Sequence, residues 1–297
     1  MNVPEKIRNH GLLGSIRLMW QSLFYAQYLA FKWRRAPLYV NPTQAELDEI
    51  EKGLFSLGTS TNPITMPPGE LQRFQKTFRF PRNYYNGTGG KVRDEKILEH
   101  FIAYKLAGLE AFSHDDIYID IAGGASPWAN LLRENGYKAY SVDLQIKPEH
   151  KGLPYYLEED AKATSFQDTS IRACSLQCAY EMFVGEDDVL FLQETQRVLK
   201  PGGVAIISPL YLHTHHCGYS SLEYYRKGYA DLGAKEYICK KYWGIPFSRK
   251  YSPELLKKRI LNRIEEHGMK YTLFKLMNKS ELGDNIYCHF ILRIEQN

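Results

Sequence analysis

Ile117-Tyr118-Ile119-Asp120-Ile121 is a short apolar run that passes directly into Ala122-Gly123-Gly124-Ala125-Ser126-Pro127. The first five residues predict a strand. The next five are small, so the backbone can turn sharply and approach a ligand closely. Pro127 suits the first position of a helix, where no N–H is needed, and a helix is predicted from Pro127 to Asn135. Such a helix turns free N–H groups toward a polar ligand. Lys138 to Val142 reads as a second strand and ends in Asp143, twenty positions after Gly123. A carboxylate at that point can accept hydrogen bonds from both hydroxyls of a ribose. A tight turn followed by an unrelated surface aspartate would look the same, and nicotinamide enzymes share the geometry.

Outward from this centre the rhythm continues. Glu95 to Leu109 reads as a helix, Ala173 to Cys178 as a strand, Asp187 to Leu199 as a helix and Val204 to Ile207 as a strand. Alternation on this scale predicts a parallel sheet with helices on both faces. Tyr211 to Tyr251 breaks the pattern. Pro253 to His267 restores it as a helix, capped by Ser252 and followed by Gly268. Two apolar runs, Tyr271 to Met277 and Ile286 to Ile294, close the chain as an antiparallel hairpin. The expected architecture is a doubly wound α/β fold. Its mostly parallel seven-stranded sheet has an antiparallel last strand, and an N-terminal helical extension precedes it. Residues 1–93 would form that extension and 94–297 the main domain, with a lid insertion at about 211–252.

Composition agrees with a globular protein: 44% hydrophobic and 24% charged residues leave no basis for wholesale disorder. A net charge of +4 does not predict a broad nucleic-acid face. Five cysteines, with no CxxC pair, argue against a disulfide framework or zinc knuckle. Reduced thiols in a cytoplasm are the expectation. No apolar run with a small-residue cleavage site opens the chain. Gly11 to Phe31 is interrupted by Arg17, Gln21 and Gln27, which argues against a membrane span. Residues 11–35 read instead as an amphipathic helix: Leu12, Ile16, Met19, Leu23 and Phe31 share a stripe, and Lys32, Arg34 and Arg35 follow. Packing on the protein's own core is the favoured reading, and peripheral contact with an anionic membrane surface the alternative.

Asp120 to Ser126 resembles the first motif of the class I S-adenosylmethionine-dependent methyltransferases. Asp143 matches the family's acidic residue after the second strand, and Asp160-Ala161 its third-strand motif. Arg197-Val-Leu-Lys-Pro-Gly-Gly203 is similar to its turn before the fifth strand, and the closing hairpin fits its last two strands. The resemblance covers Glu95 to the C-terminus and implies S-adenosylmethionine as cofactor. Asp120 would then lie near the methionine moiety. Ala122, Gly123 and Gly124 would let the cofactor pass, Asp143 would hold the ribose, and Asp160 with Ala161 would face the adenine. The loop Cys178 to Phe183 would flank the reacting methyl. Ala122 and Ser126 stand where the family usually has glycine, and Met182 where many members have histidine.

The loop Cys178-Ala-Tyr-Glu-Met-Phe183 lacks the Asn/Asp-Pro-Pro-aromatic pattern of enzymes that methylate DNA amino groups. Its single Glu181 falls short of the paired glutamates of protein-arginine enzymes. The segment after the fifth strand begins Tyr211-Leu-His213-Thr-His215-His216. An imidazole there could remove a proton from a hydroxyl. It could equally shape the pocket wall or, as a third reading, bind a metal. No carboxylate cluster accompanies the histidines, so no metal ligands are assigned. His213, Glu181 and Tyr211 are the candidate catalytic residues. Tyr224, Tyr225, Arg226, Tyr229, Tyr237, Tyr242, Trp243 and Arg249 suit a lid over a sugar or phosphorylated acceptor, and equally an ordinary lid packed on itself. The expected activity is O-methylation of a small polar molecule or glycan intermediate. A methyltransferase-like scaffold without catalysis is the alternative, and a nicotinamide oxidoreductase is disfavoured by the Arg197–Gly203 turn.

Overall fold

The computed structural model describes residues 24–85, 92–225, 231, 233–240 and 244–297. The chain divides into two compact units, one of Met1–Asn41 with Gly218–Ser248 and one of Pro42–Cys217 with Arg249–Asn297.

The larger unit holds an eight-stranded sheet. In chain order its strands are β1 (Asn62–Ile64), β2 (Ile117–Ile121), β3 (Lys138–Asp143), β4 (Tyr156–Glu158), β5 (Ile171–Gln177), β6 (Leu199–Leu210), β10 (Lys270–Leu276) and β11 (Phe290–Glu295). Three further strands, β7 (Cys217–Ser221), β8 (Lys235–Cys239) and β9 (Ser248–Lys250), form a separate small sheet in the order β8-β7-β9. The large sheet runs β1-β10-β11-β6-β5-β2-β3-β4. β4, β3, β2, β5 and β6 are mutually parallel, and β11 lies antiparallel between β6 and β10. The seven expected strands are present. Asn62–Ile64 adds an eighth at the edge, parallel to β10. Its three residues include Pro63, tolerable only because an edge strand need not donate on both sides.

In the larger unit the helices described are α1 (Gln44–Ser56), α2 (Pro68–Thr77), α3 (Arg93–Ala107), α4 (Trp128–Glu134), α5 (Asp187–Val198), α6 (Pro253–Leu256), α7 (Asn262–Glu266) and α8 (Lys279–Leu282). Thr43 caps α1 in a reciprocal box with Glu46. The helix expected from Pro253 to His267 is interrupted by a π turn over Lys257–Leu261. Neighbouring residues of each central strand serve opposite cores. Ile119, Cys174, Ala205 and Ile207 join α5–α7, whereas Tyr118, Ala173, Val204 and Ile206 join α2, α3 and α4. That period-two division buries both faces of the sheet.

The Arg197–Gly203 turn carries the chain from the end of α5 into β6, where part of it forms a local insertion. Ile171 pairs with Leu199 and Ala173 with Val204, so Lys200–Gly203 bulge from the ladder. Gly202 there has φ +71°, a conformation that favours glycine.

Residues 42–93, expected in one N-terminal extension, belong to the larger unit: Ile50 and Leu54 of α1 are fully buried in its core. In the smaller unit, residues 24–32 are helical. Leu29 is buried with Leu222, Tyr225 and Ile238, while Phe24, Tyr25, Tyr28 and Phe31 are exposed. The N-terminal part of the stripe expected over 11–35 lies outside the described residues. No helix among the described residues is long and apolar enough to cross a membrane.

Candidate active site

The C-terminal ends of β2, β3, β5 and β6 converge on one edge of the sheet, the place where open parallel sheets bind ligands. At the end of β2 the chain turns through Ala122, whose φ is +58°. An L-residue there costs roughly 1–2 kcal/mol relative to glycine. The turn is held from below: Ala122 N donates to Val142 O at 2.7 Å, and Gly124 N donates to the Asp143 carboxylate at 2.9 Å. The second Asp143 oxygen accepts from Gln145 N at 3.1 Å. A Cβ on Gly124 would collide with the Gln145 carbonyl oxygen and lie 2.8 Å from Asp143 Cβ. One on Gly123 would run into the Asp120 carboxylate and lie 2.8 Å from Ser141 Oγ. Both glycines are therefore required by the protein's own packing, and the space they leave is taken by Asp120, Ser141 and residues 143–145.

Asp120 is 1% exposed, and neither carboxylate oxygen has a hydrogen-bond partner of acceptable geometry. Burial pushes its pKa up to about 8, and the Asp143 charge acts in the same direction; the Ser126 hydroxyl offsets part of this. An unpaired buried carboxylate costs free energy unless something cationic or a donor meets it. Asp160 is half-buried, and its oxygens contact Lys162 N at 3.0 Å and Lys162 Nζ at 3.3 Å. Ala161 packs against the core beside it.

A second polar group lies at the ends of β5 and β6. Cys178, with φ +50°, donates its thiol to Glu99 Oε1 at 3.1 Å and lies 3.2 Å from Tyr211 Oη and 3.5 Å from Tyr287 Oη. Lys96 Nζ donates to both Glu99 oxygens, at 3.1 and 3.0 Å. Lys250 Nζ sits 3.4 Å above the Tyr211 ring. Burial opposes charge on Lys96, but Cys178 and Glu99 outweigh it and hold its pKa well above the usual lysine value. Burial raises Glu99, against Lys96. Glu95 accepts from Tyr287 N and Cys288 N, both at 3.0 Å, which ties α3 to the approach of β11. Glu181 is buried on the turn Tyr180–Met182, and its Oε2 has no hydrogen-bond partner. Burial raises its pKa, with Lys250 acting in the opposite sense.

Of the three candidate catalytic residues, Tyr211 and Glu181 belong to this environment. The Tyr211 hydroxyl is pushed well up by burial, with Cys178, Tyr287, Glu181 and Glu99 adding to the effect. His213 belongs to another cluster. Its N–H donates to Tyr251 O at 2.9 Å, and its Nδ1 lies 3.2 Å from Thr214 Oγ1. Its ring meets that of His215 edge-on at 4.3 Å. Arg249, expected in the lid, is fully buried and bonds Asp188 Oδ2 at 2.6 Å as part of the core. Arg226, Tyr229, Tyr242 and Trp243 lie outside the described residues. Glu95, Lys96 and Glu99 were not anticipated. The available signal was three charged residues at 95, 96 and 99 in a helix that also carries Ile97, Leu98, Phe101 and Ile102, too apolar to be a solvent-facing helix.

Residues 119–207 match a protein family described as a methyltransferase domain. No curated protein matches the chain. Among solved structures, the chain is similar to 1,6-didemethyltoxoflavin-N1-methyltransferase from Burkholderia thailandensis, solved with bound 1,6-didemethyltoxoflavin and S-adenosylhomocysteine. Identity is 12% over 79% of this chain and 94% of that one, with a TM-score of 0.46. It is also similar to an S-adenosylmethionine-dependent methyltransferase from Methanosarcina mazei (17% identity, 63% and 95% covered, TM-score 0.40). A third similarity is to such an enzyme from Mesorhizobium loti (14% identity, 65% and 98% covered, TM-score 0.41).

Proposed function

We propose that this chain, whose residues 119–207 match a methyltransferase-domain family, is a class I S-adenosylmethionine-dependent methyltransferase and that it methylates a hydroxyl oxygen of a small polar acceptor such as a sugar or glycan intermediate. The residues fit the cofactor. Asp120 offers two buried, unpartnered carboxylate oxygens to a cationic methionine end. Each Asp143 oxygen accepts one backbone N–H and keeps acceptor capacity for a ribose hydroxyl. Asp160 and Ala161 are assigned to the adenine, and Cys178 to the side of the reacting methyl. Bound S-adenosylmethionine supplies a methyl on a sulfonium, an electrophile that needs positioning more than activation.

The observation that carries the reading is Glu181, a buried carboxylate with a raised pKa and a free oxygen. A hydroxyl is a poor nucleophile until its proton is taken, and a positioned base with an elevated pKa can take it. In this account Glu181 accepts that proton at Oε2, while Tyr211 orients the acceptor through its hydroxyl. Lys96 stays charged beside Glu99 and can hold an electronegative acceptor oxygen.

The test is a screen of sugars, lipid-linked sugars and other hydroxylated small molecules with cofactor labelled in the methyl. Label should appear on oxygen. Glu181→Gln should lower turnover by about 10²–10⁴-fold, the range of a lost general base, with S-adenosylmethionine affinity unchanged. Label confined to nitrogen, or undiminished turnover in that variant, would reject the reading.

A further inference from the structure

Beyond methyl transfer, the geometry points to a zinc site formed by His213, His215 and Cys217, and we propose that the chain binds one Zn²⁺ there. One ligand atom from each of the three residues lies within 4.8 Å of the others. His213 and Cys217 are buried, at 7% and 0% exposed, and His215 is partly so. The residues alternate along five positions of a segment that bends at Thr214 and His215 before β7 begins at Cys217. Leu212 bridges Tyr251, His213 N donates to Tyr251 O, and Tyr251 N donates to Tyr211 O. A straight strand would set positions i and i+4 about 13 Å apart; the bend at Thr214 and His215 lets this His-x-His-x-Cys string bring three donors together.

Two imidazoles and a thiolate suit zinc, a borderline ion that prefers nitrogen and sulfur donors. Bond lengths of about 2.0–2.3 Å in a tetrahedron set ligand atoms roughly 3.5 Å apart, so closing the cluster needs about 1 Å of side-chain movement. Thr214 Oγ1 lies 3.2 Å from Nδ1 of both His213 and His215. Hydrogen bonds of that kind orient ligating imidazoles and tune their basicity. Cys217 would bind as thiolate and release its proton to water. Three protein ligands leave a fourth tetrahedral position for water. The ion would fix the segment that carries Tyr211 into the polar cluster.

The test uses the full-length chain after chelation and exchange into metal-free buffer, with Zn²⁺ titrated against a chromophoric chelator. One equivalent should bind. Co²⁺ in its place should give the visible bands of a tetrahedral site and a thiolate charge-transfer band. Cys217→Ser should abolish that band and weaken Zn²⁺ binding. The loss should be no less than the roughly 10–100-fold that removing a supporting hydrogen bond costs. His215→Ala should weaken binding similarly, and His216→Ala should not. If Cys217→Ser fails to fold by its thermal melt, Thr214→Val and the wild-type Co²⁺ spectrum decide. No uptake by the wild type, a Co²⁺ spectrum without the thiolate band, or unchanged affinity in Cys217→Ser or in Thr214→Val would overturn the proposal.

Discussion

Asp120 is a carboxylate kept buried at the expense of stability. Its ordinary pKa is 3.8, and burial in the folded chain raises it to about 8. Between those values the native state binds a proton that the unfolded chain has released. The unfolding free energy must therefore fall as pH rises from about 4 to 8, because the ionised form is penalised only in the fold. Asp120→Asn, which keeps shape without the charge, should make that slope shallower and raise the melting temperature of the ligand-free chain at pH 8. Melting curves at pH 5 and pH 8 for both proteins would show it. A slope unchanged in the variant would mean Asp120 is not the group responsible. Ala122 was legible as a departure from glycine in the sequence, but the left-handed backbone that makes the departure costly appears only in three dimensions. Gly124 was read as making room for a ligand. The collision it avoids is with Gln145 and Asp143, residues about twenty positions away and therefore invisible to local pattern.

At the scale of elements, periodicity located the central strands and helices because each has one dominant job, to bury apolar side chains. It failed where an element has two. The α3 helix is buried on nearly every side, and Glu95, Lys96 and Glu99 satisfy one another and the backbone of Tyr287 and Cys288. Nothing in a 3.6-residue pattern distinguishes such charges from solvated ones. The helix after Pro253 was also visible, but its π turn was not. That turn lies where Arg259 reaches Asp188, bonding Oδ2 through Nε at 2.8 Å. Asp188 also accepts from Arg249 and Tyr251, each at 2.6 Å. It thereby joins α5, β9 and the α6–α7 helix. Removing one partner of a buried ion pair typically costs about 3–5 kcal/mol, since the remaining charge is left without compensation. Asp188→Ala should lose about that much in denaturant unfolding, with an unchanged m-value. A loss under about 1 kcal/mol would show that the two arginines find other partners.

For the whole molecule, the alternation of strands and helices predicted a doubly wound sheet, and the antiparallel β11 between β6 and β10 completes the expected order. The division of the chain was not legible. Residues up to Asn41 group with Gly218–Ser248, a partnership between segments far apart in sequence. Leu38 and Ile238 make its β-bridge, a contact no local pattern announces. The candidate site was half legible for the same reason. Asp120, Asp143 and Asp160 sit at strand ends set by short-range pattern, whereas Lys96, Lys250 and Tyr287 reach the polar cluster from three separate parts of the chain.

The cofactor's proposed place against the β2 turn and Asp143 determines every other assignment in the site. Isothermal titration of S-adenosylmethionine into the wild type and a folded Asp143→Ala variant tests this directly. The wild type should bind one equivalent. The variant should bind about 1.5–3 kcal/mol more weakly, the loss expected for charged hydrogen bonds to the ribose. No binding by the wild type, or equal affinity in the two proteins, would contradict the assignment.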